Sequence, residues 1–426
     1  MATSGLRYRT AFLLLTLSLI GQGIAAPFGL SSMAVLVMIV GLPILTTLAI
    51  TTPPSTPVRR FTRYNSVLFT FFAAFSLVGL LSGKMGYPSY LLSIAIHQIF
   101  YMICLVLLGP IGIWRSLRIV IWINIVAVAV QIGGGLVGSD ELVRLSFLGV
   151  DKGSSIEYWS FLPRASGLTT EPAHLSYLLL PPLLLTLLGS RVNHTLWRRY
   201  DRGPLLVCYL LTMSIVAYLQ LTIALLAANL KHRRIKTLLL TILYIVALGS
   251  ALMTIPLARD RIDSTLILLS GETTNSSSVF AIQSNSLVAL HSMEEAPLLG
   301  NGITSHRVTY EATIGNLFDF VIDETWQGLN KNDAGSLLLL LLSETGLVGF
   351  TVFFAFVSMA VLRLSNLRGE LALLGLVHAL ALGVIGLRYG QFASPYIMLN
   401  IQVVLFCLAA LAKTSSRPTT ALTIKA

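Results

Sequence analysis

The stretch LLVCYLLTMSIVAYLQLTIALLAANL, from Leu205 to Leu230, decides the fold. It is apolar over 26 residues and basic at both ends: Arg198, Arg199 and Arg202 precede it, and Lys231, Arg233, Arg234 and Lys236 follow it. Lys and Arg collect on the cytoplasmic side of membrane helices. Both flanks therefore belong on one side, where a single crossing cannot put them. Two full spans of ~20 residues each do not fit either. Two short helices meeting near Thr212-Met213-Ser214 resolve the conflict. Interrupted helices are tolerated at membrane depth where they face protein or a polar cavity, so Ser214 is expected to line one. The alternative is one long tilted helix that breaks the charge rule.

Working outward, apolar runs cover about Ala11–Ala26, Ser32–Ile50, Ser66–Leu81, Tyr90–Ile113 and Ile119–Val137 on the N-terminal side. Arg7 and Arg9 give the first run the flank of a signal peptide, but the second run follows at once, so a retained helix is expected. Basic stretches at Arg59–Arg63 and Trp114–Arg118 read as cytoplasmic turns. On the C-terminal side come Ala173–Gly189, the broken pair, Thr237–Pro256, Leu337–Leu362, Leu371–Leu387 and Pro395–Ala412. The reading is an all-α polytopic membrane protein, one integral membrane domain over residues 1–426 with about twelve transmembrane segments. Both termini are expected in the cytoplasm. Two large segments, 138–172 and 257–336, are expected outside.

Composition agrees with lipid as the solvent. Hydrophobic residues make up 55% of the chain and charged residues 11%, against roughly 25% charge in soluble domains. The net charge of +11 follows from topology, because only nine of the 29 Lys and Arg fall outside, against sixteen of the 18 Asp and Glu. A nucleic-acid partner is unnecessary. Cys104, Cys208 and Cys407 sit in apolar runs and read as packing residues, with no metal site and no disulfide frame. No phosphate loop GxxxxGK[ST] occurs, so ATP-driven transport by this chain alone is not expected.

The first outer segment ends in PRASGLTTEPAH, Pro163 to His174. Arg164 offers a fixed fork of donors suited to phosphate. Glu171 or His174 beside it could move a proton. Pro172 fits the first position of a helix, where free N–H groups would face an anion. The bland reading is equally open: Arg164 snorkels to headgroups and Glu171 is an N-terminal helix charge. The second outer segment holds PLLGNGITSHR, Pro297 to Arg307, and ends in NDAGS, Asn332 to Ser336. Gly300 and Gly302 could form an anion-binding turn. Glu344 lies about two turns into the next apolar helix, an expensive place that calls for protein or water around it. His97 and His378 read as packing or hydrogen-bonding groups.

Together these motifs resemble the family of bacterial O-antigen and capsular polysaccharide polymerases and, more distantly, O-antigen ligases. Arg164, Gly167, Glu171, Pro172 and His174 resemble its outer-loop motif, and Pro297–Gly302 and Ser343–Gly349 its later motifs in order. The resemblance covers about residues 160–350. It implies a cofactor-free, metal-independent glycosyl transfer at the periplasmic face of the inner membrane. Donor and acceptor would be glycans on undecaprenyl diphosphate, with a chain-length regulator and a flippase as possible partners. Arg164 matches one diphosphate-binding arginine of the family. Near Val279–Ala281, where a second is usual, there is none, and Arg307 is the substitute; Arg164, with Arg307 or Arg388, would stabilise the charge of the departing diphosphate. Ligases carry His-Asn where this chain has Gly335-Ser336, which favours a polymerase over a ligase. The proton acceptor would be Glu171, His174 or Asp333. A transporter or flippase of lipid-linked sugar is the competing class.

Overall fold

The computed structural model describes residues 2–26, 32–51, 55–150, 158–159, 162–188, 201–230, 277–317 and 328–412. The expected span at Thr237–Pro256, the basic stretch 231–236 and the first part of the second outer segment lie outside the described residues. Helix dominates the rest. The longer elements are α1 (Ala2–Ile20), α2 (Met33–Ile50), α3 (Thr56–Leu81) and α4 (Pro88–Leu136). A short α5 (Asp140–Arg144) and a two-residue hairpin, β1 (Tyr158–Trp159) with β2 (Leu162–Pro163), lead to α6 (Pro172–Leu188). Then come α7 (Arg202–Leu211), α8 (Ile215–Leu230), α9 (Ser277–Glu295), α10 (Ser305–Leu317), α11 (Leu337–Ser365), α12 (Glu370–Ile385) and α13 (Asn400–Leu411).

Four of these, α2, α3, α4 and α11, are long and apolar enough to cross a membrane. Their outward faces carry bare apolar side chains: Val67, Phe69 and Leu77 on α3, and Val352, Phe354 and Met359 on α11, are each more than half exposed. A water-soluble surface rarely carries such patches, whereas lipid accepts them at no cost. The protein is a helical membrane protein. Inside the bundle, polar side chains tie helices together, as they do where no hydrophobic force separates helix from lipid. Gln402 of α13 donates to Asn65 Oδ1 of α3 at 2.7 Å, and Gln98 of α4 donates to the Asn65 carbonyl at 3.1 Å.

Two sequence readings need correction. The turn expected at Trp114–Arg118 is helical. The break in α4 lies earlier, at Gly109 (φ 64°, ψ 173°), immediately before Pro110. Glycine accepts the positive φ, and proline supplies no N–H to continue the ladder. Trp114, Ser116 and Leu117 are buried, and Ser116 Oγ lies 2.8 Å from Thr16 Oγ1 of α1. Arg118 pairs at 3.0 Å with Asp201, which is 1% exposed at the start of α7 and also accepts from Trp122 Nε1 at 3.2 Å. The basic stretch thus fixes the entry of the broken pair. Likewise Arg59–Arg63 lies within α3, whose first turn contains Pro57. The second outer segment is mostly helical where it is described, as α9 and α10.

Candidate functional site

Helices α7 and α8 meet at Thr212-Met213-Ser214, with Met213 in the left-handed region (φ 46°). The corner closes on itself. Tyr209 Oη donates to the Ala217 carbonyl at 2.6 Å, and Tyr218 Oη to the Leu210 carbonyl at 2.5 Å. Ser214 Oγ accepts from Ala217 N at 3.4 Å. The Leu210 carbonyl and Ala217 N are among the groups a helix break frees, and burial in an apolar interior demands partners for them. The Leu211 carbonyl accepts from Ala165 N at 3.0 Å. The Arg164 loop therefore descends onto the break.

The loop is pinned from the other side by α4. Gln131 Oε1 accepts from Ser166 N at 3.1 Å and Gly167 N at 2.8 Å, and Asn124 Oδ1 accepts from Leu168 N at 2.9 Å. Gly167 has φ 56°, and a Cβ there would strike the Asn124 side chain. Sequence reasoning missed Gln131 and Asn124. Their signal was two amide side chains seven residues apart, hence on one face, inside an apolar helix where polar groups are expensive.

Beyond the loop, α6 begins at Pro172, as the N1 preference of proline predicts. His174 Nδ1 lies 2.7 Å from Thr170 Oγ1. Its ring packs among Tyr177, Tyr389 and Tyr396, at centroid distances of 5.9, 5.3 and 5.7 Å. Tyr177 Oη donates to the Arg388 carbonyl at 3.3 Å. The Arg388 guanidinium donates to the Gly335 carbonyl at 3.2 Å. Asp333 accepts from Gly335 N at 3.0 Å and from Gln391 Nε2 at 3.3 Å. Burial raises the Asp333 pKa above the ordinary carboxylate value. Its hydrogen bonds and Arg388 pull the other way, and Glu171 adds to the rise. The fold thus gathers Glu171, His174, Asp333 and Arg388 at one end of the bundle, from three separate stretches of chain. Glu171 is exposed there.

The sequence matches no family model, and no curated protein matches it.

Arg307 is engaged elsewhere. It pairs with Glu311 at 2.7 Å and lies over the Tyr87 ring at 4.3 Å. Glu311, held below its ordinary pKa by Lys331 and Arg307, also pairs with Lys331 at 2.9 Å. Gly300 and Gly302 do not present an anion cradle. Gly300 N donates to the Ala296 carbonyl at 2.9 Å and Gly302 N to the Glu344 carbonyl at 2.8 Å. The Pro297–Gly302 turn instead fills a break in α11 at Gly346 (φ 59°, ψ −160°), where Leu347 N and Val348 N reach the Pro297 and Leu298 carbonyls at 3.0 and 3.1 Å. Glu344, 2% exposed, turns its carboxylate onto the start of α10 and accepts from Thr304 N at 2.9 Å. A carboxylate suits a helix N-terminus.

His306, next to Arg307, is fully buried. Its Nε2 lies 2.9 Å from Asn285 Oδ1 and its Nδ1 3.0 Å from Ser343 Oγ, which in turn lies 2.9 Å from Ser292 Oγ. Ser, His and Asn in that order resemble a nucleophile triad. All four side chains are 0% exposed, however, so no substrate reaches Ser343 and the chain is a strut. Among the described residues, no group of three His, Cys, Asp or Glu converges to hold a metal ion.

Proposed function

We propose that the protein is a membrane glycosyltransferase of the O-antigen and capsular polysaccharide polymerase type. In this reading about twelve segments cross the bacterial inner membrane, with the termini in the cytoplasm and the Asp333–Arg388 end facing the periplasm. The substrates are oligosaccharide repeat units on undecaprenyl diphosphate. One observation carries the reading: Glu171, His174, Asp333 and Arg388 converge where the Arg164 loop joins α6. A cation for a diphosphate, Arg388, and bases for a sugar hydroxyl stand together there.

In the reaction, the acceptor hydroxyl oxygen bonds to the donor's anomeric carbon as the bond from that carbon to the diphosphate oxygen breaks. The bond electrons leave with the diphosphate, and the transition state is oxocarbenium-like. Arg164 and Arg388 hold the departing charge. The hydroxyl proton passes to Asp333, Glu171 or His174. Burial suits Asp333 to the task, because a raised pKa brings a carboxylate closer to the working pH of a general base.

The test is the purified full-length protein incubated with lipid-linked repeat units. Longer lipid-linked chains are the expected product. Transfer to lipid A core would make the protein a ligase, and no covalent change would make it a transporter. Arg388→Ala should lower the polymerisation rate roughly 10²–10³-fold, as loss of a single charge-stabilising donor does elsewhere. Unchanged polymer at normal protein level would remove Arg388 from the site.

A further inference from the structure

We infer that Gln131, seconded by Asn124 two turns earlier on α4, is the positioning residue of the Arg164 guanidinium. The inference rests on the reading of Arg164 as a diphosphate-binding group. After Pro163, whose ring packs so close to Gly135 of α4 that a Cβ there would lie 2.5 Å from it, four successive amides enter the bundle. Each is met by one acceptor: Ala165 N by the Leu211 carbonyl, Ser166 N and Gly167 N by Gln131 Oε1, and Leu168 N by Asn124 Oδ1.

The orientation of both amide groups is fixed by their other ends. Gln131 Nε2 donates to the Val143 carbonyl at 2.8 Å, and Asn124 Nδ2 donates to the Val120 carbonyl at 2.9 Å. Each side chain must therefore present oxygen, not nitrogen, to the loop. Gln131 and Asn124 are each 1% exposed, and Ser166 is 4% exposed. Water cannot replace these acceptors without entering a buried space. An apolar side chain at 131 would strand two donors at once, which is the expensive way to lose a hydrogen bond. The loop would have to rise off the α7–α8 break, and Arg164 would move with it. Positioning groups matter because a misplacement of about 1 Å can cost about 10²-fold in rate.

Five preparations of the full chain in lipid nanodiscs test this: unmodified, Gln131→Leu, Gln131→Glu, Arg164→Ala, and Gln131→Leu combined with Arg164→Ala. A protonated glutamic acid keeps both the acceptor and a donor toward Val143. Amide exchange is read at Ser166, Gly167 and Leu168, and affinity is read with undecaprenyl diphosphate as the probe. Slow exchange is expected in the unmodified protein. In Gln131→Leu, exchange at Ser166 and Gly167 should rise at least about tenfold and affinity should fall at least about tenfold. Gln131→Glu should restore both. Combined with Arg164→Ala, Gln131→Leu should cost little further affinity, because both act through one guanidinium.

Fast exchange at these amides in the unmodified protein overturns the inference, even if Gln131→Leu fails to fold. Independent, multiplying losses in the double variant overturn it as well. If the unmodified protein exchanges slowly but does not bind undecaprenyl diphosphate, the diphosphate reading falls and the positioning role falls with it. If it binds, and Gln131→Leu alters neither exchange nor affinity, the positioning role alone is lost.

Discussion

His306 and Arg307 are neighbours in sequence with opposite fates. One step along a helix turns the side chain by about 100°. His306 consequently points into the bundle and Arg307 out over Tyr87. Burial pushes the His306 pKa down from 6.5 to about 3. Asn285 settles the tautomer: its Nδ2 donates to the Ala281 and Leu329 carbonyls, so its Oδ1 must accept, and His306 Nε2 must carry the proton. Ser343 can then donate to Nδ1. Protonating Nδ1 would put a charged ring in a fully buried site, and Ser343 would have to turn its hydroxyl round to accept. Between pH 6.5 and about 3 the unfolded chain binds a proton that the folded chain refuses. The stabilising contribution is complete above pH 6.5 and is lost as pH falls toward 3. Thermal unfolding in detergent should show a midpoint that drops on acidification through this window. His306→Gln should flatten the drop, and an unchanged slope would remove His306 as its source.

The elements carry the motifs differently from the way a linear reading suggests. Pro297–Gly302 and Ser343–Gly349 look like two separate signatures in the sequence, yet they form a single joint, in which the turn fills the break in α11. A Cβ at Gly300 would lie 2.5 Å from the Glu344 carbonyl carbon, and one at Gly346 would lie 2.6 Å from the Leu298 carbonyl carbon. Gly300→Ala and Gly346→Ala should each cost at least ~1–2 kcal/mol from the backbone conformation alone. Forced separation of the two chain segments adds to that. Lower unfolding midpoints and reduced yield would show it, with Gly5→Ala, where a Cβ meets nothing within 4 Å, as the control.

The apolar runs were legible in the sequence because lipid allows helix and little else. Residue charge did not locate the turns. The turn placed at Trp114–Arg118 went to Gly109 instead, because long basic side chains can stay helical and reach an acidic partner such as Asp201. Gln131 and Asn124 were illegible as loop holders, because what they hold is backbone from a segment more than thirty residues away. Glu171, His174 and Asp333 could be picked out by residue type, but their meeting needed the fold.

At the scale of the whole molecule, the two ends differ in what they display. One end gathers Lys84, Glu294, Glu295, Arg307, Glu311, Lys331 and Asp333, three basic and four acidic groups joined in part by surface ion pairs such as Lys84 with Glu295. Such pairs contribute little stability, about 0–1 kcal/mol each. The opposite end bears Arg7, Arg63 and Arg202 with the buried Asp201 as counter-charge to Arg118. The positive-inside rule assigns the second end to the cytoplasm, and the proposed chemistry requires the first to face away from it. The three native cysteines are buried, so single introduced thiols can be read without background. Glu294→Cys and Asn332→Cys sit at exposed positions of the first end, and Arg63→Cys and Arg202→Cys at exposed positions of the second. In intact spheroplasts a membrane-impermeant maleimide should label the first two, and the second two should label only after lysis. The reverse pattern would place Asp333 and Arg388 beside cytoplasmic nucleotide-activated sugars, and a lipid-diphosphate donor presented in the periplasm could not reach them.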